Sequence, residues 1–256
     1  MSTPVFYALT ATLFTWGITA LGAASVIFFK QPKQKWLNIM MGFAAGVMIA
    51  ASFWSLLNPA IDSAQKLGFK MPWLVAGIGF LSGACFLFFC DRLVAANRLK
   101  SCNKRAFMLM LAITMHNLPE GLAIGVAFGA LNHSFTDEGL YGAILIAIGI
   151  GLQNFPEGAA ISLPFRREGY SRWKSFLYGQ ASALVEPIGG ILGALLTAKM
   201  AYLAPYALSF SAGAMILVAV HELIPECQAT RESYTATFGI IFGFALMMVF
   251  DIALSF

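Results

Sequence analysis

The chain has 256 residues, of which 59% are apolar and 11% charged, with a formal net charge of +4. Soluble domains run at roughly 45–50% apolar and about 25% charged, so this composition excludes a soluble enzyme or binding domain and marks an integral membrane protein. The basic residues sit in short clusters between apolar runs and form no arm or stripe, which excludes nucleic acid as a partner and leaves the lipid bilayer as the surroundings.

At about 20 apolar residues per span, the length allows roughly eight transmembrane helices and no separate soluble domain, so residues 1–256 are expected to form a single all-α membrane domain. Residues 4–29 carry no ionisable side chain and have no basic segment before them; the stretch is too long for a signal-peptide core and predicts a retained first span. The second span is predicted over 36–57 and contains Phe43-Ala-Ala-Gly-Val-Met-Ile; the third covers 72–91. Cys85 and Cys90 lie in that third run. With Cys102 and Cys227 they show no CxxC spacing, so neither a disulfide framework nor a thiolate metal site is expected.

The fourth span, 106–129, carries His116-Asn-Leu-Pro-Glu-Gly-Leu-Ala-Ile, and the fifth, 140–163, carries Gln153-Asn-Phe-Pro-Glu-Gly-Ala-Ala-Ile. Six of the nine positions are identical, the polar ones among them. The sixth span, 174–198, adds Glu186 followed by Pro187. The seventh, 205–224, contains Phe210-Ser-Ala-Gly-Ala-Met-Ile, a second copy of the helix 2 segment, and ends at His221 and Glu222; the eighth, 235–255, holds Asp251.

Cytoplasmic loops carry the excess of Lys and Arg. The loops after spans 1, 3, 5 and 7 hold 13 of the 16 basic residues: Lys30, Lys33 and Lys35; Arg92, Arg98, Lys100, Lys104 and Arg105; Arg166, Arg167, Arg172 and Lys174; and Arg231. The opposite face has only Lys66, Lys70 and Lys199. This asymmetry predicts eight helices with both termini outside. Helices 2 and 7 then run in opposite senses, so their shared segment predicts an inverted repeat of the kind found in secondary transporters.

On a helix turning about 100° per residue, Glu120 lies at about 40° from His116 and Asn117 at about 100°, so the carboxylate stands between the other two side chains. The same holds for Gln153, Asn154 and Glu157. His116 is 11 residues beyond Arg105, about 16 Å at 1.5 Å per residue and therefore near the middle of a core about 30 Å thick. Glu120, Glu157 and Glu186 all fall in this central zone, where an unpaired ion costs at least ~2.5–3.5 kcal/mol on insertion scales and no intramembrane Lys or Arg is at hand. A divalent cation would neutralise them. Pro119, Pro156 and Pro187 leave carbonyls unpaired one turn back, which is tolerated at this depth where the backbone lines a cavity or is buried in protein. A lone membrane His or Asn ordinarily hydrogen-bonds a neighbouring helix; the duplicated motif with a third carboxylate goes beyond that need. One imidazole, amide oxygens and carboxylates suit zinc, iron, manganese, cobalt or cadmium, and the neutral amides hold an ion loosely enough to release it.

These two motifs resemble the paired helix 4 and helix 5 signatures of the ZIP (Zrt-, Irt-like protein) family of divalent metal transporters. The likeness runs the length of the chain and extends to Leu184-Val-Glu186-Pro-Ile and to Ala44-Ala-Gly-Val-Met with Ser52-Phe-Trp-Ser-Leu, where it is most similar to the bacterial zinc-uptake and GufA-like branch. The resemblance implies eight helices, with 1–3 and 6–8 as inverted repeats around 4 and 5, in the bacterial inner membrane. It implies a binuclear centre: one metal on His116, Glu120, Gln153 and Glu157, the second on Asn117, Asn154 and Glu186 with the same bridging glutamates. The metal would be the transported substrate and not a cofactor, moved inward by an alternating-access, elevator-like motion. Gln153 departs from the His common at its position, and the Arg92–Arg105 loop lacks the histidines of eukaryotic relatives.

Along the pathway, His221 and Glu222 are candidates for the inner exit, Asp62 for the outer mouth, and Asp91 and Asp251 for pathway or helix-end charges; His133 beside Asp137 and Glu138 reads as outer loop. A homodimer is compatible with all of this. A membrane-embedded metallohydrolase is the competing reading, but His221-Glu-Leu-Ile-Pro225 has proline where the second histidine of His-Glu-x-x-His must stand, so no enzyme is expected.

Overall fold

In the computed structural model, residues 3–28, 34–96, 104–133, 135–228 and 233–254 are described, except for the side chains of 94–96, 104–109, 111–112, 233 and 254. Of the residues read above for sidedness or thiol chemistry, Lys30, Lys33, Arg98, Lys100, Cys102 and Arg231 lie outside the described residues, as do the side chains of Lys104 and Arg105. Every regular element among the described residues is helical. Eight rods follow the predicted order: α1 (Thr3–Ile27), α2 (Gln34–Lys66), α3 (Pro72–Ala96), α4 (Lys104–Ala130), α5 (Asp137–Arg167), α6 (Arg172–Lys199), α7 (Ala201–Gln228) and α8 (Ser233–Leu254). Seven are long and apolar enough to cross a membrane; α4 matches them in length at 27 residues.

Most rods overrun the predicted spans, because polar end residues continue the helix. Thr136 caps α5 by accepting a hydrogen bond from the Gly139 amide at 3.0 Å, with Asp137 and Glu138 against the positive end of the helix dipole. Ser171 caps α6 through the Lys174 amide at 3.2 Å. At the other ends of α2 and α5, Gly68 (φ +78°) and Gly169 (φ +94°) take the left-handed conformation. Phe69 and Tyr170 then donate back to the Ala64 and Phe165 carbonyls, which closes each helix on the pattern favouring glycine.

The rods pack most extensively as four pairs: α2 with α8, α4 with α6, α1 with α5 and α3 with α7. Glycine makes each seam. A Cβ on Gly125 would stand 2.1 Å from the Gly190 carbonyl oxygen, on Gly158 2.1 Å from that of Thr19, on Gly46 2.0 Å from that of Ile240, and on Gly213 1.9 Å from that of Phe80. Such close backbone approach suits a protein whose helices sit in lipid, where packing of small residues and not water exclusion drives association.

Two helices are interrupted by a π-helical turn, α2 at Ser52–Leu57 and α7 at Ala219–Leu223. Each begins nine residues after the phenylalanine of the shared segment, Phe43 or Phe210. The two copies therefore agree in local backbone as well as in sequence. Insertions of this kind concentrate at functional positions.

Candidate metal centre

Three helices bring the central polar residues together. His116, Asn117 and Glu120 come from α4, Gln153, Asn154 and Glu157 from α5, and Glu186 from α6, and all seven are buried to within 1%. Close approach of the helices follows from the glycine after the α4 motif: a Cβ on Gly121 would lie 2.1 Å from the Glu186 backbone carbonyl oxygen, so the main chains of α4 and α6 meet at the level of Glu186. The α5 motif is held against α1 in the same way by Gly158.

The two motifs brace each other crosswise. The Gln153 amide donates to Glu120 Oε1, and His116 Nε2 approaches Glu157 Oε2 at 3.5 Å without making a hydrogen bond. Ligand atoms of His116, Glu120 and Glu157 lie within 4.8 Å of one another, close enough for one ion to be shared. Beside them the Asn154 amide donates to Glu186 Oε1 at 2.9 Å and to the Thr15 carbonyl at 3.3 Å.

Many polar atoms in this pocket have no hydrogen-bond partner. Both ring nitrogens of His116, both side-chain polar atoms of Asn117, Glu120 Oε2, Gln153 Oε1, Asn154 Oδ1 and both carboxylate oxygens of Glu157 are buried without a hydrogen-bond partner. Such orphans are rare in proteins, because each leaves a desolvation cost of about 1–3 kcal/mol uncompensated, more for a charged group. Here they converge, mostly oxygens with imidazole nitrogen, which is the donor set a borderline divalent cation accepts. Among the described residues, no Lys or Arg forms an ion pair with these carboxylates.

The prolines act differently from one another. Pro119 and Pro156 lie inside continuous helices. Before Pro187, α6 narrows to a 3-10 turn at Ser182–Leu184 and restarts at Val185, which sets Glu186 in the first turn of the new helical segment. Pro187 cannot supply an N–H to the Ala183 carbonyl, so the break falls there.

Thr15 is a site residue that the motif reading missed. Its hydroxyl donates to Glu186 Oε2 at 2.5 Å, and with Thr12 and Thr19 it forms a fully buried threonine stripe on α1. That stripe of hydroxyls at helical spacing in an uncharged span was the available signal.

The pathway candidates fall into two groups at opposite ends. Asp62 and Asp251 line one cavity of about 540 Å³, with Ser55, Lys66, His133 and Glu138. Ser55, in the α2 π turn, donates to Asp251 at 2.7 Å and 3.0 Å. His133 Nε2 donates to the Thr197 carbonyl at 2.7 Å, so this ring is tied to α6. At the far end His221, in the α7 π turn, stands 3.7 Å from Asp91, both partly exposed, and Glu222 Oε2 is buried and unpartnered. Asp137 does not line the cavity. Cys85, Cys90 and Cys227 are free thiols.

A membrane protein of many helices with a buried, cross-braced carboxylate and imidazole cluster belongs to the class that handles metal cations within the bilayer. Comparison with known proteins makes this specific. Residues 95–251 match the family model for the ZIP zinc transporter. The chain is 37% identical to zinc transporter ZIP11 of Xenopus tropicalis, covering 98% of each chain. It is 36% identical to zinc transporter ZIPB of Bordetella bronchiseptica, over 98% of this chain and 82% of that one, and 32% identical to zinc transporter GufA of Myxococcus xanthus, over 96% and 98%. The chain belongs to the ZIP family of zinc transporters. It is a metal-cation transport protein of the membrane and not an enzyme.

Proposed function

We propose that the protein carries divalent transition-metal cations, zinc foremost, from outside the cell into the cytoplasm through a binuclear centre at mid-membrane. One ion is held by His116, Glu120, Gln153 and Glu157; a second is held by Asn117, Asn154 and Glu186, with Glu120 and Glu157 bridging the two. The observation that carries this reading is the convergence of unpartnered buried oxygen and nitrogen atoms on one point between α4 and α5. Gln153 and the two asparagines are neutral, weak ligands, which favours release over storage and leaves room for iron, manganese, cobalt or cadmium.

Alternating access is supported by the symmetry of the packing. Exchanging α1 with α6, α2 with α7, α3 with α8 and α4 with α5 converts the α1–α5 pair into α6–α4 and the α2–α8 pair into α7–α3. Gly46 and Gly213, equivalent in the repeated segment, each make one of the seams so exchanged. This is the pattern of an inverted repeat, with both termini outside by the charge asymmetry of the loops. All seven ligands lie on α4, α5 and α6, which pack with α1; that group would slide against α2, α3, α7 and α8, taking the metal from the Asp62–Asp251 cavity to the His221–Asp91 end.

Reconstitution into liposomes tests the proposal. A zinc gradient should drive saturable influx, reduced by competing cadmium or iron, with no lipid or peptide cleaved. Influx no greater than in protein-free vesicles, or turnover of a lipid or peptide without flux, would reject it.

A further inference from the structure

Behind the metal-binding turn of α5 lies a groove of about 850 Å³ that the transport pathway does not use. The two sides of this turn face opposite ways. Gln153, Asn154 and Glu157 are buried in the centre, whereas Leu152, Phe155 and Pro156 form one wall of the groove. Phe43 of α2 and Phe238 and Phe242 of α8 form the other. Phe155, Phe238 and Phe242 are 42%, 70% and 64% exposed, so the groove opens on the outer surface of the helix bundle.

Its position along the helices says what fills it. The α2 and α8 wall residues lie within ten positions of the helix starts at Gln34 and Ser233, about 15 Å at most along the axis and so within one leaflet, while the α5 wall continues from Pro156 past mid-membrane to Ile148. At that same end Arg167, the last residue of α5, donates to the Gln34 side chain, and the exposed Lys35 follows. Water does not wet a recess so apolar, and an empty one forfeits dispersion contacts along its whole lining. Basic side chains at headgroup level attract the negative lipids of the cytoplasmic leaflet.

The geometry points to a phospholipid site: one acyl chain of an anionic inner-leaflet lipid lies in this groove against Phe155 and Pro156, and its phosphate sits at Lys35 and Arg167. The chain fills the seam between the α1–α5 and α2–α8 pairs and supports the metal-binding turn from behind. The inference rests on the membrane orientation proposed above and on no property of the metal.

The test is photocrosslinking of the full-length protein with p-benzoylphenylalanine at Phe238, which lines the groove five residues from the start of α8, or at Leu81, 63% exposed on α3 and absent from the groove lining. Reconstitution is into vesicles of equal phosphatidylglycerol and phosphatidylethanolamine. After exchange into detergent and irradiation, Phe238 should yield a phospholipid adduct by mass spectrometry and Leu81 should not. Phosphatidylglycerol should exceed phosphatidylethanolamine by roughly tenfold, as two basic side chains allow, and the preference should vanish in Lys35→Glu with Arg167→Glu. Equal adducts at Phe238 and Leu81, no headgroup preference, or crosslinking of Phe238 to a second copy of the chain would overturn the proposal. A probe at Phe242 gives the same reading should the Phe238 variant fail to fold. Adducts without zinc flux would leave the lipid site standing while the transport reading fell; flux without adducts would do the reverse.

Discussion

The group α1, α4, α5 and α6 and the group α2, α3, α7 and α8 are built with the same glycine seams but carry different chemistry. In the first, three glutamates, a histidine and three amides are buried at the centre. In the second, the carboxylates and the histidine placed by the structure stand toward the helix ends, as Asp62, Asp91, His221, Glu222 and Asp251, and a π turn interrupts each of α2 and α7. Close packing is therefore general in this protein, while deep polarity is confined to one half. In the proposed mechanism the confined half holds the cargo and the other guides it.

Removing the charge of the first group should have the largest effect. Glu120→Ala and Glu157→Ala are each expected to reduce zinc influx in liposomes to the protein-free rate, with the protein still folded in the membrane. Residual flux near the wild-type rate would show that the central carboxylates are structural. Next is His116→Ala, expected to weaken zinc binding in an equilibrium titration by at least the roughly tenfold that losing even an outer-shell partner costs. An unchanged dissociation constant would remove the imidazole from the ligand set.

The shared architecture is probed by Gly125→Ala, whose new Cβ would meet the Gly190 backbone at 2.1 Å, against Gly77→Ala, which has open space. Overpacking costs typically about 1–3 kcal/mol, so the first should lower the thermal midpoint in detergent and the second should not. Equal midpoints would mean that the seam yields. Smallest is Ser55→Ala. It removes the hydroxyl that Asp251 accepts from, worth about 1.5–3 kcal/mol for a charged acceptor, and should slow influx by a few-fold while leaving zinc affinity at the centre unchanged. A loss of affinity instead would couple the second group directly to the site.

The helix number and order were legible in the sequence because a membrane span is a local property: an apolar run of fixed length. The His116 and Gln153 motifs were legible for the opposite reason, since polar residues in such runs have so few explanations. What the sequence left open depends on which helices meet. Nothing local in α4 says that Glu120 accepts from Gln153 while Glu157 faces His116, or that Thr15 on α1 reaches Glu186. The π turns were hidden too, because a single inserted residue does not disturb an apolar run. The end of α2 was underestimated for a related reason. Asn58 to Lys66 is polar enough to resemble a loop, yet it continues the helix to the Gly68 terminus.

The central claim is that the buried carboxylates at mid-membrane are a metal site, and anomalous diffraction at the zinc edge from zinc-soaked crystals tests it most directly. Strong density is expected between His116, Glu120, Gln153 and Glu157, with a second peak toward Asn117, Asn154 and Glu186, at ligand distances of about 2.0–2.2 Å. A map with zinc only at exposed positions such as His221 and Asp91, and none between α4 and α5, would contradict it.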